Sequence, residues 1–258
     1  MTITQDYYAG RVYVVTGGAS GIGLAVTRML LKLSATVHVL DVSKEIYLDG
    51  EEHTGKLYFY PETDITSRES VSKVFKRIIE TSSAIDGVVN NAGISLFSPT
   101  LIEPDDHYNK IMSINVGGVW NVGTAYLQYV LDNYPHIGAD GKGGGSMVNI
   151  GSSASVQGLP KIAVYCASKH AVLGLTRSWA RDFAGKGVRV NCVAPGFTDT
   201  PLFRAGRKDL PEIDEHIKAV PLGRPGTPDE IAEMVLFLLG NASSYVTGQV
   251  LPINGGLH

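Results

Sequence analysis

The sequence predicts an α/β protein in which a doubly wound parallel sheet is covered by helices on both faces. Two observations predict it: short runs rich in β-branched residues alternate with segments of helical period, and a glycine-rich turn follows the first run. Strands separated by helices are joined by crossovers, which makes them parallel and buries both faces of the sheet. The chain contains no repeat or low-complexity linker, so we expect residues 1–258 to form one domain.

Seven strands are expected from these runs, at residues 11–16, 35–41, 56–60, 87–90, 146–150, 188–193 and 249–252. Helices are expected at residues 22–33, about 104–131, 163–183 and 228–239. One more helix follows from an apolar stripe at spacings i, i+3, i+4, i+7 and i+8, formed by Val71, Val74, Phe75, Ile78 and Ile79. The glycine-rich stretch 138–145 joins a helix to a strand in the middle of the sheet, and we interpret it as a surface loop.

The composition favours a globular protein that binds small molecules. Hydrophobic residues make up 44% and charged residues 18%, which excludes a disordered chain. The formal net charge of -3 gives no electrostatic attraction for nucleic acid or an anionic membrane. Without a secretory signal or an apolar run of transmembrane length, a cytoplasmic protein is expected. Cys166 and Cys192 fit neither a disulfide framework nor a metal site, and we interpret both as buried structural thiols.

The glycine-rich turn lies between the first predicted strand and the first predicted helix. Gly17, Ser20, Gly21, Ile22 and Gly23 belong to it, with the spacing Gly-x-x-x-Gly-x-Gly. Glycine at such a turn lets the backbone approach a pyrophosphate, whose charge is met by free N–H groups and the positive end of the helix. The alternative is a tight turn that binds no ligand.

Asp41 ends the second predicted strand, 18 residues after Gly23. A carboxylate at this place can accept hydrogen bonds from both ribose hydroxyls of an adenosine, and it would repel a 2′-phosphate. Ser20 supplies no positive charge to offset that repulsion. The position therefore predicts NAD rather than NADP as the cofactor, whereas alone Asp41 would be interpreted as a turn residue.

Further motifs follow in order and, with the glycine turn, cover nearly the whole chain: Asn90-Asn91-Ala92-Gly93, Tyr165-Cys166-Ala167-Ser168-Lys169 and Pro195-Gly196. This ordered set resembles the short-chain dehydrogenase/reductase family. The resemblance implies a single-domain Rossmann fold with a seven-stranded parallel sheet and a nicotinamide dinucleotide cofactor. It also implies a catalytic set, which in this sequence is Asn115, Ser152, Tyr165 and Lys169.

Tyr165 and Lys169 lie four residues apart on a predicted helix, so their side chains share one face. A free tyrosine with a pKa near 10 is a poor base at neutral pH. An ammonium about 4 Å away contributes roughly 4 kcal/mol at an effective dielectric constant near 20, which would lower the pKa of Tyr165 by about three before desolvation is subtracted. We therefore expect Tyr165 to act as the acid/base.

The roles of Ser152 and Asn115 rest mainly on the resemblance. Ser152 follows a predicted strand and would hold the substrate oxygen near Tyr165, with Ser153 as the fallback. Asn115 would bind a water that connects Lys169 to solvent, although an Asn inside a helix is more often a packing or capping compromise.

The remaining cofactor contacts are expected at the carboxyl ends of later strands. Asp64 and Ile65 resemble the segment that contacts the adenine, and the candidates beside the rest of the cofactor are Asn91, Ala92, Gly93, Pro195, Gly196, Thr198 and Thr200. Asn91 could equally brace the sheet, and the two threonines could be simple loop residues.

A small lid over the substrate is expected at about residues 197–222. The predicted pocket is apolar, with Leu96, Phe97, Val156, Leu159, Ile162, Phe197, Leu202 and Phe203 as its candidates. Such a pocket suits a bulky or cyclic substrate. Arg204, Arg207 and Lys208 are interpreted as solvated lid charges, with carboxylate binding as the alternative.

The sequence as a whole predicts an NAD-dependent oxidoreductase that transfers a hydride between the cofactor and a secondary alcohol or ketone. A carbonyl reductase that uses NADH or NADPH, working mainly in the reductive direction, is the first alternative. A catalytically silent dinucleotide-binding scaffold is the second. The helices that contain Trp120 and Trp179 carry more apolar residues than one sheet-facing stripe requires. The resemblance implies that these helices pair across a two-fold axis, so a homo-oligomer is expected, a tetramer in preference to a dimer.

Overall fold

One sheet of seven parallel strands forms the centre of the protein, in a computed structural model that describes residues 5–48, 53–82, 84–96, 102–134, 144–209 and 213–257. The strand order is β3-β2-β1-β4-β5-β6-β7. The strands are β1 Val12–Thr16, β2 Thr36–Leu40, β3 Lys56–Tyr60, β4 Gly87–Asn90, β5 Gly145–Ile150, β6 Val188–Pro195 and β7 Val250–Ile253. All seven predicted strands are confirmed, each within two residues of its expected bounds.

Helices cover both faces of the sheet. They are α1 Gln5–Tyr8, α2 Gly21–Lys32, α3 Arg68–Thr81, α4 Asp105–Met112, α5 Val119–Asn133, α6 Ala163–Ala184, α7 Pro201–Asp209, α8 Ile213–Lys218 and α9 Pro228–Leu239. The apolar sides of α3, α5 and α6 bury one face in a core that includes Phe75, Tyr126 and Trp179. The other face is buried by α2 and α9, with Leu30 and Leu236 in the core. The predicted doubly wound architecture is therefore confirmed.

The chain reverses its direction of winding between β1 and β4. From β1 the strand order runs outward through β2 and β3, and the chain then returns to pair β4 with the opposite side of β1. The connections that leave the carboxyl ends of β1 and β4 consequently diverge and open a crevice, the usual place of a ligand in such sheets.

The structure differs from the sequence-based expectation in one helix and adds detail on two other segments. The helix expected at 104–131 is divided into α4 and α5 by a π-helical turn at Ser113–Gly118, because hydrogen bonds there span five residues instead of four. The region expected as a lid contains two helices, α7 and α8. The loop expected at 138–145 lies largely outside the described residues, and its last residue, Gly145, already belongs to β5. Among the helices described, none is long and apolar enough to cross a membrane.

Candidate active site

The glycine turn connects β1 to α2 with two residues in the left-handed backbone region. Gly17 has φ +63° and Gly21 has φ +53°, a conformation that side-chain-bearing residues rarely adopt. Gly23 is required for another reason: a Cβ there would lie 2.2 Å from the carbonyl oxygen of Gly17. The three glycines thus let the start of α2 pack against the end of β1, with free N–H groups facing the crevice.

Asp41 follows β2 directly and is almost completely buried, with 7% of its surface exposed. Its Oδ2 accepts a hydrogen bond from the Ala19 N–H at 2.9 Å, and its Oδ1 accepts one from the Ser43 N–H at 2.9 Å. The carboxylate is therefore fixed against the glycine turn, and it lines the same cavity.

Asn91 braces the two central strands. Its Nδ2 donates to the carbonyl oxygens of Thr16 and Gly17, each at 3.0 Å. In return, Thr16 Oγ1 accepts from the backbone N–H groups of Asn91 and Ala92 at 3.0 and 3.1 Å. Of the two interpretations of Asn91, these bonds support the bracing role, although the residue also lies on the cavity wall.

A cavity of about 510 Å³ extends along the carboxyl ends of the strands. It brings together all the cofactor-binding candidates except Gly23, which lies behind the turn; those on the wall are Gly17, Ser20, Gly21, Ile22, Asp41, Asp64, Ile65, Asn91, Ala92, Gly93, Tyr165, Lys169, Pro195, Gly196, Thr198 and Thr200. The cavity is thus lined by an acidic group, by glycine backbone and by the predicted catalytic tyrosine and lysine. This is the donor and acceptor set that a dinucleotide needs, so the residues fit the cofactor.

Ser152 and Tyr165 meet on the wall of this cavity. The side chain of Ser152 lies close enough to the Tyr165 hydroxyl to oppose the rise in its pKa, and its Oγ accepts a hydrogen bond from the Ala154 N–H at 3.1 Å. Ser153 instead directs its hydroxyl to the carbonyl oxygen of Pro195 at 3.4 Å. The geometry therefore favours Ser152 over its fallback as the partner of Tyr165.

Lys169 lies beneath Tyr165 on α6, with its Nζ 5.6 Å from the centroid of the tyrosine ring. Burial lowers the pKa of Lys169 to about 8. Burial also raises the pKa of Tyr165, against the opposing effect of the Ser152 hydrogen bond. The expected lowering of the Tyr165 pKa is therefore not found, because burial outweighs the opposing effect of Ser152.

Asn115 lies within the π-helical turn, 1% exposed, and its side chain is fully engaged. Its Oδ1 accepts from the Ile94 N–H at 2.9 Å, while its Nδ2 donates to the Ile94 carbonyl at 2.9 Å and to Ser168 Oγ at 3.1 Å. A Cβ on Gly93 would lie 3.1 Å from Asn115 Oδ1 and 3.6 Å from Lys169 Nζ. Asn115 therefore lies behind the cavity wall and joins the end of β4 to α6.

The predicted substrate pocket is brought together in part. Leu159, Ile162, Phe197, Leu202 and Phe203 line the cavity. Leu96 and Val156 do not line it. Val156 is instead half exposed, directly after the short turn that ends at Ser155. Phe97 lies outside the described residues. Sequence reasoning missed several further lining residues, among them Ile94, Ser95, Gln157, Ile213 and Leu257. Gln157 and Ser95 lie within five residues of predicted site residues, a signal that was available.

The basic residues of α7 are paired with acids at the surface. Arg204 binds Asp199 through two hydrogen bonds of 2.7 and 2.9 Å, and Arg207 binds Asp214 at 2.7 Å. Neither arginine lines the cavity. These contacts support the interpretation of solvated lid charges; the side chain of Lys208 lies outside the described residues. No cluster of metal-ligating side chains occurs in the described part of the chain.

The sequence is similar to proteins of a known family. A family model described as enoyl-(acyl carrier protein) reductase matches residues 17–258. A 3-oxoacyl-[acyl-carrier-protein] reductase of Thermotoga maritima is 37% identical over 96% of this chain and 98% of its own length. A 3alpha-hydroxysteroid dehydrogenase of Mediterraneibacter gnavus is 36% identical over 95% of this chain and 96% of its own.

A solved structure extends the comparison to the fold. A gluconate 5-dehydrogenase from Beutenbergia cavernae, described as putative and NAD(P)-dependent and holding NADP at low occupancy, superposes with a TM-score of 0.82. It is 34% identical and covers 96% of this chain and 97% of its own. The chain belongs to the short-chain dehydrogenase/reductase family and is an oxidoreductase with a nicotinamide cofactor.

Proposed function

We propose that this oxidoreductase uses NAD to interconvert a secondary alcohol and a ketone, with Tyr165 as the acid/base. The observation that carries the proposal is the pairing of Ser152 with Tyr165, whose pKa it lowers, on the wall of a cavity that Asp41 also lines. When bound, the nicotinamide supplies the acceptor or donor of a hydride. The chain itself must then hold the substrate oxygen and move its proton.

Each proposed role follows from a contact of the side chain. Tyr165 Oη removes the proton of the alcohol, or returns it to the carbonyl oxygen in the reverse direction. Ser152 Oγ fixes that oxygen beside Tyr165, and the carbonyl oxygen of Ile150 holds Lys169 Nζ at 2.9 Å beneath the pair. A charged Lys169 favours the ionised form of Tyr165, so stabilising the lysine charge during binding is part of the proposal.

The preference for NAD rests on Asp41. Its two oxygens accept from backbone groups yet remain at the wall of the cavity, where ribose hydroxyls would add charge-assisted hydrogen bonds. A 2′-phosphate would bring about two negative charges against the same carboxylate. The similarity to a 3-oxoacyl-[acyl-carrier-protein] reductase supports the alternative of a reductase, and the solved relative with bound NADP supports NADPH as its cofactor. Turnover with each of the four cofactor forms, NAD, NADH, NADP and NADPH, discriminates between them.

The apolar lining supports a bulky or cyclic substrate. Phe197 and Phe203 lie with their ring centroids 5.9 Å apart on the cavity wall, next to Leu202 of α7. We place the lid at about residues 197–222 and treat the chain as one domain.

The test is a comparison of Tyr165→Phe with Tyr108→Phe, assayed with a panel of cyclic and acyclic secondary alcohols and ketones. Tyr108 is 52% exposed on α4 and is the matched control. Tyr165→Phe removes only the transferable proton, so NAD binding should persist while turnover falls by about 10²- to 10⁴-fold. Turnover by Tyr165→Phe above about a tenth of wild type would overturn the assignment.

A further inference from the structure

Apart from Lys169, the charged residues on the cavity wall follow β2 and β3, away from the proposed substrate region. Within the described residues, the wall has three ionisable groups besides Tyr165: Asp41 and Asp64 after β2 and β3, and Lys169 beneath Tyr165. The lid arginines are engaged with acids outside the cavity. If the part of the substrate away from the reacting carbon carried a charge, no described residue would pair with it. The free-energy cost of removing that charge from water would then not be offset.

Gln157 places an amide among the lining residues around Tyr165, which, apart from the lysine beneath it, are otherwise apolar side chains and small serines. It follows the turn that carries Ser152, two residues before Leu159, and it is partly buried on the cavity wall. Leu159 packs with Tyr165 and Ile162 in one apolar cluster. No described residue forms a hydrogen bond with the Gln157 side chain, although an amide has two donors and an acceptor with two lone pairs.

We infer that Gln157 is a specificity-determining residue that binds a second, uncharged oxygen of the substrate, remote from the carbon that reacts. This inference rests on the proposed function and adds a substrate class: a cyclic secondary alcohol or ketone whose apolar body carries a hydroxyl or carbonyl group. An amide can donate to a carbonyl and can both donate to and accept from a hydroxyl, so it matches either oxygen without a charge. A site that hydrogen-bonds a substrate oxygen discriminates against the analogue that lacks it, because the amide is then left unpaired.

The test uses cyclic ketones in matched pairs that differ only by one hydroxyl, such as cyclohexanone with 4-hydroxycyclohexanone and 2-decalone with 6-hydroxy-2-decalone. The measured quantity is the ratio of kcat/KM within each pair. The wild type should prefer the hydroxylated member, and Gln157→Leu should reduce that preference roughly fivefold to tenfold, mainly through KM, as expected for one lost hydrogen bond. Gln249→Leu makes the same change on the exposed part of the chain before β7 and should leave the preference unchanged.

The possible outcomes separate the two proposals. If the wild type reduces both members equally, or if Gln157→Leu keeps the preference, the role of Gln157 is wrong while the oxidoreductase assignment stands. A preference for ketones that carry a carboxylate would likewise overturn it. If neither member of any pair is turned over, the proposed substrate class itself fails. Thermal unfolding and NAD titration of Gln157→Leu show whether the variant is folded, and Gln157→Asn provides a second, polar variant whose shorter amide should also reduce the preference.

Discussion

At Lys169, burial opposes the charge that the proposed chemistry requires. The pKa is lowered from 10.5 to about 8, so the folded protein binds fewer protons than the unfolded chain between these two values. Below pH 8 the buried charge destabilises the fold, and this penalty is relieved as the pH rises from about 8 to 10.5. At about 1.4 kcal/mol per pKa unit, the relief amounts to roughly 3 kcal/mol.

Lys169→Met should therefore be stabilised relative to wild type at pH 7, in the absence of cofactor. This advantage in unfolding free energy should shrink by up to roughly 3 kcal/mol as the pH rises to 10.5. Denaturant unfolding at a series of pH values measures the difference, and Lys76→Met on the exposed side of α3 is the control. A difference that does not vary with pH would mean that Lys169 is not buried as a charge.

Asp41 permits a prediction about cofactor choice. Asp41→Asn keeps the size of the side chain but removes the charge, and Asp41→Ala removes the hydrogen bonds to Ala19 and Ser43 as well. Both should weaken NAD and improve NADP, because charged hydrogen bonds are lost and repulsion is relieved; each lost charged bond corresponds to about 1.5–3 kcal/mol. Steady-state kinetics with both cofactors would reject the assignment if the wild type used them equally or if neither variant changed the ratio.

Sequence reasoning located most of the candidate residues because strand ends and spacing determine which side chains meet. Asp41, Ser152 and Tyr165 reach one cavity because parallel strands end at the same edge of the sheet. The direction of the Tyr165 pKa shift was not predictable, since it depends on burial that a spacing of four residues does not define. Gln157 lies close in sequence to Ser152 and Leu159, but that signal does not say which side chains of the loop reach the cavity, because the path of the loop depends on tertiary packing.

Among the elements, the packing of α2 against β1 depends on the absence of a side chain at Gly23. Gly23→Ala would place a Cβ 2.2 Å from the Gly17 carbonyl and 2.5 Å from Asn91 Nδ2, so the helix start must move. We expect a loss of about 1–3 kcal/mol in unfolding free energy and weaker NAD binding. Gly174→Ala on the exposed face of α6 is the control, since no atom lies within 4 Å of its Cβ; it should gain up to about 1 kcal/mol from helix propensity. Unfolding and NAD titration of both variants measure these effects, and normal binding by Gly23→Ala would contradict the packing argument.

Helices could be predicted where apolar residues recur at a clear helical period. They were harder to predict where the backbone hydrogen bonding changes and the pattern of apolar residues does not. The stripe from Val71 to Ile79 identified α3 because burial and period agree over its length. The division between α4 and α5 was not visible in the sequence, because a π-helical turn leaves no distinct pattern of apolar and polar residues.

For the whole molecule, we expect a dimer or tetramer through α5 and α6. Trp120 on α5 is 47% exposed and stacks on Trp179 of α6, with ring centroids 5.9 Å apart. An exposed tryptophan beside a buried one marks an apolar surface that a second copy would cover. Trp120→Glu should reduce the molar mass measured by light scattering, whereas Tyr245→Glu, at a fully exposed position after α9, should not. A wild-type protein that remains monomeric at micromolar concentration would disprove the prediction.

The π-helical turn at Ser113–Gly118 joins α4 to α5 and places Asn115 against Ile94 and Ser168. Its hydrogen bonds span five residues instead of four, so the loss of a single residue here would restore α-helical hydrogen bonding and reorient the side chains of the turn. Asn115 would swing away from Ile94 and Ser168, although no side chain of the site had been replaced. The length of this segment is thus more constrained than the identity of most of its residues. Insertions and deletions within it should be tolerated less well than substitutions.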